Sequence, residues 1–148
     1  MELTIQKPPP KCKAILLCDY VIQDAVTGKN TLVGIFDQLI ASAYPFQMPH
    51  FHLFLHLVDG IGRYDLSVEI HDLRNATIIA RVKTKPVEFR ERISRANLIL
   101  PFNGAQLPHH GAYDFVVLAN GQEIDRQQIR TFFPGVQSSS PNSPYNQD

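Results

Sequence analysis

Long apolar runs are missing from this sequence. No uninterrupted stretch approaches the roughly 18 residues that a membrane-spanning helix needs, so no transmembrane helix is expected. A charge bias is missing too. Fourteen Lys and Arg offset fourteen Asp and Glu, and a chain without net charge has no global field to gather nucleic acid or anionic lipid. Neither nucleic acid nor a membrane is therefore an expected partner. Cysteine is scarce, with Cys12 and Cys18 the only two. If the segment between them is extended, their Cα atoms stand about 20 Å apart, whereas a disulfide needs less than about 7 Å. No bridge within one strand is possible on that reading. Cys18 falls in the run Ala14-Ile15-Leu16-Leu17-Cys18, where a buried, inert thiol fits. Residues Met1–Lys13, MELTIQKPPPKCK, lack the apolar core and small-residue cleavage site of an export signal. The cytoplasm is the compartment this predicts.

Catalytic signatures are also lacking. There is no G-x-S-x-G elbow and no phosphate-binding loop, and Gly60-Ile61-Gly62 reads as a turn rather than a dinucleotide fingerprint. Ser42, Ser67 and Ser94 have no distinguishing neighbourhood. No spacing selects a pair of carboxylates for glycosidase chemistry. No cofactor is implied, and the reading leans away from an enzyme, which would need a site assembled from distant loops.

What the sequence does contain is a train of short strand-like segments with turn chemistry between them. Ala14–Ile22 and Thr31–Ala41 are short apolar runs rather than clean alternations, as expected of strands buried on both sides or bulged at Gly34. His50–Val58 alternates cleanly: Phe51, Leu53, Leu55 and Leu57 on one face, His50, His52, Phe54 and His56 on the other. Tyr64–Asp72 alternates as well, with Tyr64, Leu66, Val68 and Ile70 opposite Asp65, Ser67, Glu69 and His71. Thr77–Thr84 offers Ile78, Ala80 and Val82 as an inward set, and Ser94–Leu100 offers Ala96, Leu98 and Leu100. Pro86–Arg92, with its proline and dense charge, suits an edge. Asn120-Gly121 is a strong two-residue hairpin signal joining Gly111–Leu118 to Gln122–Phe133. Strands at this spacing predict an all-β fold, an antiparallel two-sheet sandwich of eight or nine strands, immunoglobulin-like in class. In Gly111-Ala112-Tyr113-Asp114-Phe115 the tyrosine is expected inside, its hydroxyl tying down a neighbouring connection. The expected division is an N-terminal extension over 1–13, one domain over 14–133, and over 134–148 a tail rich in Ser, Pro, Asn and Gln that is too polar to order itself.

The histidines form the one tempting constellation. Asp59-Gly60-Ile61-Gly62 reads as a hairpin loop between the two alternating strands. With both apolar faces inward, opposed residue numbers then sum to about 121 or 123, which puts His50, His52, Glu69 and His71 on one outer patch. Imidazole and carboxylate donors so placed fit zinc or a similar ion, although polar residues on a solvated face need no such role. Phe54, with His56 beside it, marks the same face as a candidate partner-binding surface, because it is a large apolar group in polar company. Asp24, Asp59 and Asp72 occupy turns, but they stand alone, without the dense acidic spacing of a calcium loop.

Several of these segments carry a resemblance. Leu17-Cys18-Asp19-Tyr20-Val21-Ile22, Thr27-Gly28-Lys29, Leu32-Val33-Gly34-Ile35-Phe36-Asp37 and Tyr44-Pro45, with the later Gly111-x-Tyr113-x-Phe115 and Asn120-Gly121, resemble a family of uncharacterised bacterial proteins over about Ala14–Phe133. The resemblance implies a small β-sandwich of unknown function, with no family catalytic residues to transfer. The function expected is a non-enzymatic module for protein–protein interaction or scaffolding, with an unidentified protein partner or self-association. The alternatives are a small-ligand or metal-binding domain using His50, His52, Glu69 and His71, or an enzyme with an unrecognised site.

Overall fold

The computed structural model describes residues 7–91 and 94–135, and within them every regular element is a β-strand. In chain order these are β1 (Lys11–Cys18), β2 (Tyr20–Gln23), β3 (Asn30–Val33), β4 (Gln38–Ile40), β5 (Phe46–Gln47), β6 (Phe51–Val58) and β7 (Gly62–Tyr64). There follow β8 (Leu66–Asp72), β9 (Thr77–Lys83), β10 (Val87–Phe89), β11 (Arg95–Phe102), β12 (Gln106–Leu107), β13 (Gly111–Ala119) and β14 (Gln122–Phe132). Eight of them make two principal sheets, β1-β6-β11 and β4-β14-β13-β8-β9, while β2–β3, β5–β12 and β7–β10 are two-stranded ribbons. All pairings are antiparallel except that of β4 with β14.

The expected sandwich is present, and period-two alternation builds it. Ile15 and Leu17 of β1, Phe51, Leu53 and Leu55 of β6, and Leu100 and Phe102 of β11 turn to one side of the three-stranded sheet. They meet Val68 and Ile70 of β8, Tyr113, Phe115 and Val117 of β13, and Ile129 of β14 in a single cluster. The centre of contact is aromatic. Phe51 stacks on Phe102 with centroids 5.0 Å apart, and both present edges to Phe115, at 5.9 and 5.7 Å.

Three expectations fail, each for a local reason. The loop after β6 is not a hairpin: β6 pairs with β1 and β11, whereas β8 pairs with β13 and β9. Between them the chain changes sheets. Gly60 permits this because the Phe89 ring lies where a side chain would stand, 2.4 Å from the position of a Cβ. Buried Tyr64 anchors the passage, its hydroxyl accepting from the Ile61 N–H at 3.0 Å and donating to the Pro8 carbonyl at 2.7 Å. Second, Ile78 faces solvent, because the β8–β9 register shifts between Ile70 and His71 and Ile79 packs against the core instead. Third, Thr31–Ala41 divides into β3 and β4, with Phe36 bridging back to Leu17.

Other details match the sequence. The β13–β14 hairpin closes at Asn120-Gly121, both with positive φ. Tyr113 is fully buried and its hydroxyl donates to the His109 carbonyl at 2.6 Å. Strand β1 begins at Lys11, inside the segment expected as an extension. The tail expected over 134–148 lies, from 136 onward, outside the described residues.

Beside Tyr113 sits the buried carboxylate of Asp72. Its Oδ1 accepts from the Arg74 N–H at 3.0 Å, capping the β8–β9 turn, and its Oδ2 meets His109 Nε2 at 2.7 Å. Burial works to raise the Asp72 pKa, but the His109 contact and the N–H groups of Arg74 and Asn75 outweigh it, and the carboxyl stays below its ordinary value. A depressed carboxyl stabilises the fold above the ordinary aspartate range, and that contribution is lost as pH falls through the lower, folded value. The acid limb of wild-type stability, read by denaturant unfolding from about pH 5 to pH 2, is therefore expected to flatten in Asp72→Asn; an unchanged slope contradicts this. Tyr113→Phe removes the tie to His109 and is expected to cost about 1–2 kcal/mol in the same measurement at neutral pH, with the strand content kept by circular dichroism.

Candidate functional site

Alternation along β6 turns His52, Phe54, His56 and Val58 away from the core, and the register of its neighbours completes each row. Phe54 stands between Leu16 of β1 and Ile99 of β11, all three half-buried. Next to this apolar row lie Ala14, His56 and Asn97 on one side, and Cys18, His52 and Pro101 on the other. His56 Nδ1 faces the Asn97 side-chain oxygen. The sequence places Phe54 in polar company; the fold gives it two aliphatic neighbours instead. Leu16 and Ile99 belong to distant segments, and nothing in the sequence joins them to Phe54 until the strand order is known.

Below this row, His50 and His52 come together with ring centroids 4.6 Å apart. His50 Nδ1 faces the Asn103 side-chain oxygen, and His52 Nδ1 lies 3.1 Å from the Asp19 carbonyl. Both thiols are shifted away from the thiolate form. Burial first, and then the charge of Asp125, push Cys12 up to about 11. Cys18, fully covered, is also raised, by burial and then by Asp19.

Glu69 and His71 do not belong to this patch. They occupy the outer face of the five-stranded sheet, on the opposite side of the sandwich, because β8 lies in that sheet. The four-residue metal patch expected from the sequence is thus divided into two pairs. Glu69 is buried among its own partners: His71 Nε2 at 3.0 Å and the Arg81 Nε–H at 2.8 Å. The hydrogen bond from His71, opposed by burial and aided by Arg81, keeps its carboxyl below the ordinary glutamate value. Across the same face Arg126 donates to Asp114 at 2.8 Å and to Glu123 at 2.7 Å. An open groove of about 770 Å³ beside this array includes Ser67, Lys83, Leu118 and Asn120, but its buried carboxylate, Glu69, is already paired.

The remaining candidates are structural in their contacts. Asp24 caps its own turn through the Val26 N–H at 2.8 Å, Asp59 pairs with Lys11 at 3.7 Å, and Asp72 is described above; each occupies a separate turn. His110 packs its ring against Tyr44 and Phe133. Among the described residues no three His, Cys, Asp or Glu side chains converge as metal ligands, and no helix is long and apolar enough to cross a membrane.

Two solved structures give a measure of the fold's relatives. An alkylpurine DNA glycosylase, AlkC, from Pseudomonas fluorescens, bound to DNA containing an abasic site analogue, superposes with a TM-score of 0.48 at 8% identity, over 79% of this chain. This chain spans only 30% of the length of that one. An immunoglobulin-like protein from Pseudomonas aeruginosa superposes with a TM-score of 0.43 at 6% identity, over 84% of this chain and 98% of that one. Both scores are low, and neither bears on what this chain does. Comparison with curated proteins finds no match. A family model, however, matches residues 13–131, nearly the whole sandwich, and the chain accordingly belongs to that family, a family of unknown function (DUF6941).

Proposed function

We propose that this domain is a non-catalytic interaction module that meets a protein partner, or a second copy of itself, with the outer face of the three-stranded sheet. The row Leu16–Phe54–Ile99 carries the reading. Three apolar side chains side by side at the centre of a sheet face, rimmed by His52, His56 and Asn97, have the apolar core and polar margin of a protein-binding patch. The contrast with the other outer face supports it. There the charged groups are matched in place, Glu69 by Arg81 and His71, Asp114 by Arg126, and a partner docking on them would first have to break those pairs. The β2–β3 ribbon, which follows β1 in the chain, carries exposed Tyr20 and Ile22, with Val26 in its turn.

The test is Phe54→Glu. Phe54 lies outside the core, so the substitution is expected to lower unfolding stability by about 1 kcal/mol or less and to leave the far-ultraviolet circular dichroism unchanged. Association is expected to be lost, whether read as self-association by light scattering or as retention of a stoichiometric partner on the tagged protein. Association equal to wild type in a folded Phe54→Glu removes this face from consideration.

A further inference from the structure

Where β6 begins, the rest of the chain holds each of two imidazoles by one ring nitrogen. Two-residue spacing on extended backbone puts His50 and His52 on the same side, with centroids 4.6 Å apart and planes inclined at 85°. His52 Nδ1 donates to the Asp19 carbonyl at 3.1 Å. Asp19 is itself fixed, because its N–H donates to the Val33 carbonyl at 2.9 Å. His50 Nδ1 donates to Asn103 Oδ1; Asn103 follows Phe102, which lies opposite Phe51 in the β6–β11 register, so the sheet itself brings it to His50. Each Nδ1 faces an oxygen, and in the neutral ring this fixes the proton on Nδ1 and leaves the lone pair on Nε2. Among the described residues neither Nε2 has a hydrogen-bond partner. Metal-ligating histidines are arranged in the same way, with one ring nitrogen held by a carbonyl oxygen so that the other is oriented and made more basic.

We propose that His50 and His52 form a two-imidazole chelate for a divalent transition-metal ion, bound through their two Nε2 atoms. Imidazole ligands suit Cu²⁺, Ni²⁺ and Zn²⁺, and Cu²⁺ is held most tightly of these. The adjacent thiol of Cys18 is fully covered and is not counted in the ligand set. With two protein ligands the remaining positions belong to water, so the bound ion is exchangeable and open to an incoming donor. Asn103 is a positioning residue that acts through the ring of His50. The inference does not depend on the interaction surface proposed above: it uses the Nε2 atoms of His50 and His52 rather than the apolar row at Phe54, and a different measurement.

The experiment is a Cu²⁺ titration of the full chain at about pH 7.5, where imidazole ligands are largely neutral. It is followed by calorimetry and by electron paramagnetic resonance, in which two coordinating nitrogens give a resolved signature. One saturable equivalent with two-nitrogen coupling is expected. His50→Ala and His52→Ala are each expected to weaken binding by roughly tenfold or more, and Asn103→Ala by about tenfold. His56→Ala and His71→Ala should bind as wild type does. A second readout needs no variant: substoichiometric Cu²⁺ should broaden the imidazole NMR signals of His50 and His52 in the wild type while those of His71 and His109 persist. The absence of saturable binding, wild-type affinity in both single variants, or broadening centred on another histidine overturns the proposal.

Discussion

The structure depends on the alternation of β6 at the centre of the three-stranded sheet. Phe51, Leu53, Leu55 and Leu57 are fully buried on one side of this strand, and burying side chains of that size supplies roughly 1.5–3 kcal/mol each. A slip of one residue would carry all four to the surface and bring His52, Phe54 and His56 into the core. The register is therefore fixed, and it fixes in turn what the outside presents: an apolar row at Phe54 and a pair of imidazoles at the strand's beginning. Phe51 links this strand to the opposite sheet through Phe102 and Phe115, so the packing that holds the sandwich together also orients the candidate site.

The two outer faces differ in how their polar groups are satisfied. On the five-stranded sheet, Glu69 and Asp114 are nearly covered by the long side chains that neutralise them, Arg81 and Arg126. Such a face is complete in itself. On the three-stranded sheet, the side-chain amides of Asn97 and Asn103 and the carbonyl of Asp19 hold one nitrogen of each histidine, and the Phe54 row remains partly open to solvent. The interaction reading and the metal reading both come from that face, through different atoms: the carbon surface of Leu16, Phe54 and Ile99 in one case, the Nε2 lone pairs of His50 and His52 in the other.

Much of the fold was legible in the residues because it rests on local rules. The alternation of His50–Val58 and Tyr64–Asp72, the turn at Asn120-Gly121 and the inward Tyr113 with its tethered hydroxyl all follow from period, turn chemistry and side-chain type. Pairing did not follow. The short glycine-bearing stretch after Val58 has the composition of a hairpin loop, yet the Phe89 ring over Gly60 and the Tyr64 hydroxyl bonded to Pro8 make it a passage between sheets. These contacts come from residues remote in sequence, and the grouping of Glu69 and His71 with His50 and His52 failed for that reason. The site was legible in half: His50, His52, Phe54 and His56 are where alternation puts them, whereas Leu16, Ile99, Asn103 and Asp19 acquire their roles only through strand order. Ile78 shows the same limit on a smaller scale, since a single bulge reverses the direction that strict alternation gives it.

The most direct measurement of this account is the set of cross-strand backbone nuclear Overhauser contacts of β6 in isotopically labelled protein. The account predicts contacts from the backbone around Phe54 to Leu16 on one side and Ile99 on the other, and from that around Glu69 to Val116 and Arg81. Contacts pairing His52 with Glu69 or His71 would place the two alternating strands in one hairpin, return all four candidate ligands to a single face, and contradict the account.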